Sequence, residues 1–317
     1  MSAANGNFEL LPGEVTCIDT GLFGPRVVSA YLVEGGGEYA IIETGATKTV
    51  PRIMEVLAQL DVPADAIRYV IPTHVHLDHA GGAGELLRRC ENATLIVHPR
   101  GARHMIDPSK LWAGAAAVYG EAELIGKYGR PVPVDESRMV VAEDGFALDL
   151  GGRRLLFIDT PGHARHHFSV WDDTSRGFFT GDTFGVSYRQ TDSDRGAFIM
   201  PTTTPVQFDP DAWHGTLDRY ASFNPERMFL THYAMVEDVQ RLGAELRKGL
   251  DFYSVTAREC AQLGDRFEAI KLRLVDYTLA GLADHGCGLS DADMREAIEM
   301  DMELNAQGLE VWLDTAA

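Results

Sequence analysis

Four times along this chain a short apolar run stops at once at a residue that ligates metals. "YVIPTH" ends in His74, "FIDTPGH" in His163, "FFTGD" in Asp182 and "MFLTH" in His232. Short apolar runs bounded by such breaks read as buried strands. The recurrence constrains the fold: such strand ends can deliver their ligands to one edge of a sheet system, where a rigid frame holds side chains to the tolerance that coordination needs. The first run continues as "VHLDHAGG", which adds His76, Asp78 and His79 within a few positions of His74. Gly162 and Gly181 each stand one residue before a candidate ligand, where the backbone must bend tightly.

These seven side chains suit two ions. His74, His76 and His163 supply three imidazoles for one ion, and Asp78, His79 and His232 supply a set for the other. Asp182 is placed to bridge them, with a hydroxide between. An imidazole and carboxylate set without thiolate suits zinc, iron, manganese or cobalt. Two ions roughly 3.5–4 Å apart can hold a hydroxide as nucleophile while polarising the bond it attacks.

The rest of the pattern is an alternation of strands and helices. "VVSAYLVEGGGEYAIIETG" predicts two strands around a glycine turn, and Ile53, Val56, Leu57 and Leu60 fall at helical spacing. "AIRYVIPT" and "ATLIVH" predict strands on either side of a helical "GELLRRC". From 100 to 130 the chain reads as helical and Ala-rich, with a start near "DPSKLW"; from 139 to 157 it returns to strands, followed by "HFSVWD" and "GFFTGD". The stretch 185–211 is polar and rich in Pro and Thr, the composition of a long functional loop. After Tyr233 the period becomes helical: Val239, Leu242, Leu246, Leu250 and Tyr253 share a face, a second helix is expected over 267–282, and Ser290 with Asp293 forms the start of a third. Met294, Ile298, Met302, Leu309 and Trp312 form its expected buried stripe. The division expected is a catalytic domain over 1–235 and a helical extension over 236–317.

Composition narrows the function. Net charge is −19, from 28 basic and 47 acidic residues, a field that repels nucleic acid and anionic membranes. No apolar run approaches the ~20 residues of a membrane span. The opening "MSAANGNFEL" has neither a basic flank nor an apolar core, so no secretory leader is expected and the cytoplasm is the expected location. Cys17, Cys90, Cys260 and Cys287 form no CxxC pair, which argues against a disulfide framework and against a thiolate metal site.

His74, His76, Asp78 and His79 form H-x-H-x-D-H, and with His163, the Gly-Asp at Gly181 and Asp182, and His232 in that order the chain resembles the metallo-β-lactamase superfamily over roughly residues 15–235. "TPGHARHH" is similar to the T-P-G-H-x-x-x-H of glyoxalase-II-like thioesterases, with His167 at its last position, and the helical extension is similar to that group's; its glutathione-binding residues are not found here. The resemblance implies an α/β fold, an αβ/βα metallo-β-lactamase sandwich with a C-terminal helical extension. It implies two divalent metal ions, zinc with iron or manganese as alternatives, held by the seven residues above. It implies hydrolysis of a small ester, thioester or lactone by a metal-bridging hydroxide, with Asp78 as the catalytic group that orients the hydroxide and carries its proton. Glu43 in "IIETG" stands where the family usually has Asp supporting the metal loop from behind.

Other readings follow from the same residues. A mononuclear iron oxygenase of the persulfide dioxygenase kind would use His74, His163 and Asp182; a family member without catalysis would only bind a small molecule. Flavodiiron proteins generally carry Glu where this chain has His76. A nuclease is disfavoured by the acidic balance. His166 and His167 are expected to support the ligands, His98 and His104 to lie outside the ligand set, and His214 and His285 to be surface or packing residues. Tyr188, Arg189 and Tyr233 either line a cleft or serve structure; Trp112 and Trp312 are expected as apolar anchors. The partner expected is a small-molecule substrate, and a homo-oligomer is left open.

Overall fold

The structure is a computed structural model that describes residues 6–203 and 206–315. Met1–Asn5, the start of the segment read for a leader, and Thr204 and Pro205, within the 185–211 stretch, lie outside the described residues, as do Ala316 and Ala317 of the expected extension.

In chain order the strands are β1 (Phe8–Leu11), β2 (Val15–Asp19), β3 (Ser29–Gly35), β4 (Glu38–Ile42), β5 (Ile67–Ile71), β6 (Thr94–Val97), β7 (Met139–Val141), β8 (Ala147–Leu150), β9 (Arg153–Asp159), β10 (Phe168–Asp172), β11 (Gly177–Gly181), β12 (Arg227–Leu230) and β13 (Ala234–Val236). The helices are α1 (Val50–Gln59), α2 (Leu77–Ala80), α3 (Ala83–Arg89), α4 (Ala102–Ile106), α5 (Ser109–Tyr119), α6 (Glu121–Lys127), α7 (Pro210–Ser222), α8 (Val239–Cys260), α9 (Arg266–His285) and α10 (Asp291–Thr315). The strands form a seven-stranded sheet in the order β1-β2-β3-β4-β5-β6-β7 and a six-stranded sheet in the order β13-β12-β11-β10-β9-β8. The first is antiparallel as far as β4 and parallel from β4 to β7; in the second β8 to β11 are antiparallel and β11 runs parallel to β12.

The chain folds into two compact units. One takes in Met1–Asp159, His166–Gly181 and Arg227–Met235; the other takes in Thr160–Arg165, Asp182–Glu226 and Val236–Ala317.

The first unit holds the sheets. Side chains alternate across each strand, and the alternation sorts them into two cores. Tyr31, Val33, Ala40, Ile42, Ile71 and Ile96 join Leu155, Phe157, Phe168, Val170, Phe179 and Phe229 of the second sheet. Their neighbours in sequence, Ala30, Leu32, Ile41, Val70 and Leu95, face α1 and α3 through Ile53, Val56, Leu57, Leu86 and Leu87. Each Val, Leu, Ile or Phe among them contributes roughly 1.5–3 kcal/mol when fully buried. The expected two-strand turn, the helix carrying Ile53 and the strands at "AIRYVIPT" and "ATLIVH" are all present. Arg138 closes the end of α3 and the turn after it by donating to the carbonyls of Leu87, Cys90, Glu91 and Ala93, at 2.6–2.9 Å.

The second unit contains the helical extension. Leu242, Leu246, Leu250 and Tyr253 of α8, Ile270, Leu274 and Leu282 of α9, and Met294, Ile298, Met302 and Leu309 of α10 are buried, in keeping with the expected stripes. Trp312 is half-buried, edge-on to Phe208 at 5.6 Å. At the start of α10 the Asp293 amide donates to Ser290 Oγ at 3.2 Å, and the Ser290 hydroxyl donates to the Asp293 carboxylate at 2.6 Å. Two polar residues, Asp301 and Asn305, share the buried face of α10, which the apolar period did not anticipate.

The architecture is thus the expected α/β class, an αβ/βα sandwich followed by a helical extension. Among the described residues no helix is long and apolar enough to cross a membrane.

Candidate metal centre

β5 is buried at its end and stops at Pro72, which cannot continue a ladder. The chain then turns through Thr73, His74 and Val75 into the single turn of α2, for which His76 is the N-cap in extended conformation. That turn puts Asp78 and His79 next to one another on the helix. Thr44 pins it from below: its amide and its hydroxyl both donate to the His79 carbonyl, at 2.8 and 2.7 Å.

Three of the histidine rings of this unit share one orientation. His74 Nδ1 lies 3.1 Å from Thr73 Oγ1, His79 Nδ1 lies 3.0 Å from Glu43 Oε1, and His232 Nδ1 lies 3.1 Å from the Val27 carbonyl. The Thr73 hydroxyl gives its own proton to Glu43 Oε1 at 2.5 Å, so it accepts from His74. Each ring therefore carries its proton on Nδ1 and turns a basic Nε2 the other way. His232 Nε2 and His79 Nε2 then lie 3.5 and 3.6 Å from the same oxygen, Asp78 Oδ2. His74 Nε2 faces His76 Nδ1 at 2.8 Å, a separation that two imidazole lone pairs tolerate only with a proton or a cation between them.

Glu43 organises this set. It is 1% exposed and holds a left-handed backbone, φ 64°. Its Oε1 accepts from Thr73, His79 and Thr231, the last at 2.9 Å, and its Oε2 accepts from the Thr73 amide at 3.1 Å. Glu43, His74 and His79 also offer atoms close enough to hold an ion. Glu43, however, faces the Nδ1 side of His79 and has its lone pairs occupied by four donors, so it supports the ligands rather than joining them. Thr73 and Thr231 were not singled out by sequence reasoning. The signal was there: a Thr precedes His74 and His232 alike, and both hydroxyls end on one carboxylate oxygen.

His163 and Asp182 belong to the second unit. His163 is 1% exposed, donates from Nδ1 to the Thr202 carbonyl at 2.9 Å, and holds Nε2 3.3 Å from Asp182 Oδ2. Its ring is oriented as those of His74, His79 and His232 are. Gly162 has φ +139°, and a Cβ there would stand 2.5 Å from Trp213 Cβ; only glycine lets the chain reach His163 past that indole. Gly181, the last residue of β11, has φ +51°, and a Cβ would meet Thr73 Oγ1 and His167 Nε2, both at 2.4 Å. The bends expected before these two ligands are present.

The remaining candidates fall where packing puts them. His167 is fully buried with its ring stacked on His74, centroids 4.8 Å apart, and His166 Nδ1 accepts from the Val75 amide at 3.4 Å. Both back the first histidine cluster. His98 accepts from the Arg100 amide and donates to Asp159 at 2.8 Å. Burial, with Arg103 and Lys110 nearby, lowers the pKa of His104. His214 pairs with Asp251, and His285 donates to the Gly196 carbonyl. Tyr188 and Tyr233 are buried; burial, then Cys17 and Asp19, raises the pKa of Tyr233. Trp112 packs against Leu77 and Leu124, the anchor expected of it.

The donor set fits a divalent metal. It contains only imidazole and carboxylate, and four rings are held through Nδ1 by protein acceptors. The separations of 3.3, 3.5 and 3.6 Å are wide for hydrogen bonds. They are close to the about 3.3–3.4 Å between neighbouring donors of a tetrahedral ion with bonds of ~2.0–2.1 Å.

Residues 23–232 match the description of the Metallo-beta-lactamase superfamily. The chain belongs to that family. It is similar to a metallo-beta-lactamase fold-containing protein of Sulfurisphaera tokodaii, 27% identical over 215 residues, 67% of this chain and 75% of the other. A solved archaeal superfamily protein from Sulfolobus tokodaii superposes with a TM-score of 0.65 at 24% identity, covering 93% of this chain and 97% of its own, which shows the fold. A beta-lactamase-like protein 2 homolog of Caenorhabditis elegans is 27% identical over 69% of this chain and 60% of its own length. An acyl-coenzyme A thioesterase of Homo sapiens is 25% identical over 48% of this chain and 56% of its own. The chain therefore spans less than two thirds of the length of the last two.

Proposed function

We propose that this metallo-β-lactamase superfamily member is a hydrolase of a small ester, thioester or lactone, dependent on two divalent ions, with zinc the first choice and iron or manganese the alternatives. One ion would be held by His74, His76 and His163, the other by Asp78, His79 and His232, with Asp182 between them. The observation that carries the reading is the doubling of the donor set. Asp78 Oδ2 faces the Nε2 atoms of His79 and His232, and apart from that trio His74 Nε2 faces His76 Nδ1 at 2.8 Å and His163 Nε2 faces Asp182 Oδ2 at 3.3 Å. A single-ion centre leaves one of these groups unused.

Bound ions would supply a water ionised near neutral pH and polarise the substrate carbonyl. The protein's own part follows from the geometry. Glu43, Thr202 and the Val27 carbonyl hold the Nδ1 protons of His79, His163 and His232, which fixes each tautomer. Asp78 is the most exposed member of the second trio, its side chain 20% exposed against 0% and 10% for its neighbours. It is the group placed to take a proton from water and return it to a leaving thiolate or alkoxide. The thioesterase relative and the T-P-G-H-x-x-x-H resemblance support a thioester as the first substrate to try.

Metal content of protein purified without added metal, followed by an ester, thioester, lactone and lactam panel, tests the reading. Two ions per chain and turnover are expected, with Asp78→Ala lowering kcat by roughly 10²–10⁴-fold. One iron per chain with oxygen consumption, or an Asp78→Ala variant as active as the parent, overturns it.

A further inference from the structure

Thr202, whose carbonyl accepts the His163 Nδ1 proton, lies in a segment that α10 grips on both sides. Asn305 turns its side-chain amide and its backbone carbonyl to this segment. Its Nδ2 donates to the Pro201 carbonyl at 3.1 Å, and its Oδ1 accepts from the Thr203 amide at 2.6 Å. The Thr203 hydroxyl donates toward the Asn305 backbone carbonyl at 3.1 Å and lies 3.2 Å from its Oδ1. The two residues flanking Thr202 are thus fixed by one side chain that is 1% exposed. Fixing both flanks fixes the direction of the Thr202 carbonyl, and that carbonyl sets the ring of His163.

One turn earlier on the same helix face, Asp301 holds the other limb of the loop. It accepts from the Tyr188 hydroxyl at 3.2 Å. Tyr188 follows Val186, which pairs with Met200 by two backbone hydrogen bonds at 2.9 and 3.1 Å. The limb begins at Asp182, whose carbonyl accepts from the Gly185 amide at 3.0 Å. Asp301 and Asn305 therefore grip both limbs of the segment that starts at one candidate ligand and orients the other. An apolar residue at either place would fit the stripe of α10 but would give up these bonds to the loop.

We propose that Asn305 is a positioning residue for His163, and that through it the C-terminal helix sets the affinity of the ion His163 would hold. The inference rests on the reading of His163 as a metal ligand. The experiment loads metal-free parent, Asn305→Ala, Asn305→Asp and His163→Ala proteins with cobalt(II) against a competing chelator and records the visible absorption of the bound ions. His163→Ala is expected to lose one of the two ions. Asn305→Ala should weaken that same ion by roughly ten- to a hundred-fold, the range for groups that orient a ligand, and leave the other unchanged. Asn305→Asp keeps an acceptor for Thr203 and loses the donor to Pro201, so it should fall between the parent and Asn305→Ala. A merely packing role would lower the unfolding temperature of all Asn305 variants without separating the two ions. Asn305→Ala with parental affinity at both ions and an unchanged spectrum overturns the proposal. If His163→Ala keeps both ions, the ligand reading itself has failed. Should Asn305→Ala not fold, Asn305→Asp carries the test, and parental affinity at both ions in it overturns the proposal.

Discussion

Glu43 Oε1 accepts the Nδ1 proton of His79 at 3.0 Å inside a site where its carboxylate is 1% exposed. The same oxygen takes the hydroxyls of Thr73 and Thr231, so one atom ties together the segments that carry His74, His79 and His232. Glu43→Gln keeps the shape and removes the charge: a neutral oxygen would face the three donors now on Oε1, and its NH₂ would face the Thr73 amide where Oε2 now accepts. The expected outcome is a fall in ion affinity of roughly 10–100-fold, read by chelator competition. Glu43→Ala leaves buried donors without acceptors and should cost about 2–4 kcal/mol in denaturant unfolding of the metal-free protein.

Arg153 and Asp172 form a buried pair whose side chains are 3% and 0% exposed. Arg153 Nε donates to Asp172 Oδ1 at 2.9 Å, its Nη2 to Oδ2, and its Nη1 to the Glu34 carbonyl at 2.7 Å. The other lone pairs of Asp172 take the Thr174 and Ser175 amides. Asp172→Asn should lower stability by roughly 3–5 kcal/mol, because it leaves a guanidinium buried without its counter-charge. Replacing both residues with leucine should cost less than Asp172→Asn alone, since most of the loss is the stranded charge and not the pair's net contribution. Urea unfolding of the two variants checks the order.

Ser290 caps α10 with its hydroxyl on the Asp293 amide and its carbonyl on the Met294 amide. Ser290→Ala is expected to cost about 1 kcal/mol of stability. Ser290→Asn or Ser290→Asp should restore most of it, since either side chain supplies the missing acceptor. Thermal unfolding of the three variants measures it.

What could be read from the residues alone divides along a physical line. Strand ends and buried helix stripes are local patterns of apolar spacing, and "YVIPTH", "MFLTH" and the Leu242–Leu246–Leu250 stripe carry them within a few positions. Polar partners are not local. Asn305 meets Thr203 from 102 residues away, and Thr231 meets Glu43 from 188. No periodicity announces such a bond. The 185–211 stretch shows the consequence: its Thr and Pro content reads as a long functional loop, and nothing in that content announces that Tyr188, Thr191, Met200 and Thr203 are buried, their polar groups satisfied by the chain around them. Glu43 lay between the two cases. Its position was marked by resemblance, but its acceptor role becomes visible only when Thr73, His79 and Thr231 are brought to it.

Alkaline pH offers a test of packing behind α3 that does not involve the metal centre. Cys90 is fully buried, and that burial pushes its thiol up from the ordinary 9.0 to about 11, against the pull of Arg138 and Arg89. A thiol is neutral when protonated, so the folded protein resists ionising it while the unfolded chain does not. The sign follows: the contribution is intact below the unfolded value near 9, is lost progressively as pH rises toward the folded value near 11, and changes little beyond it. At ~1.4 kcal/mol per unit, the loss across that window is on the order of 2–3 kcal/mol. Cys90→Ala should lower stability at neutral pH through the small cavity it leaves, yet show a shallower decline between pH 9 and 11 than the parent. Urea unfolding at several pH values compares the two slopes. Parallel declines would mean that the Cys90 thiolate is as well accommodated in the folded chain as in the unfolded one, contrary to its full burial.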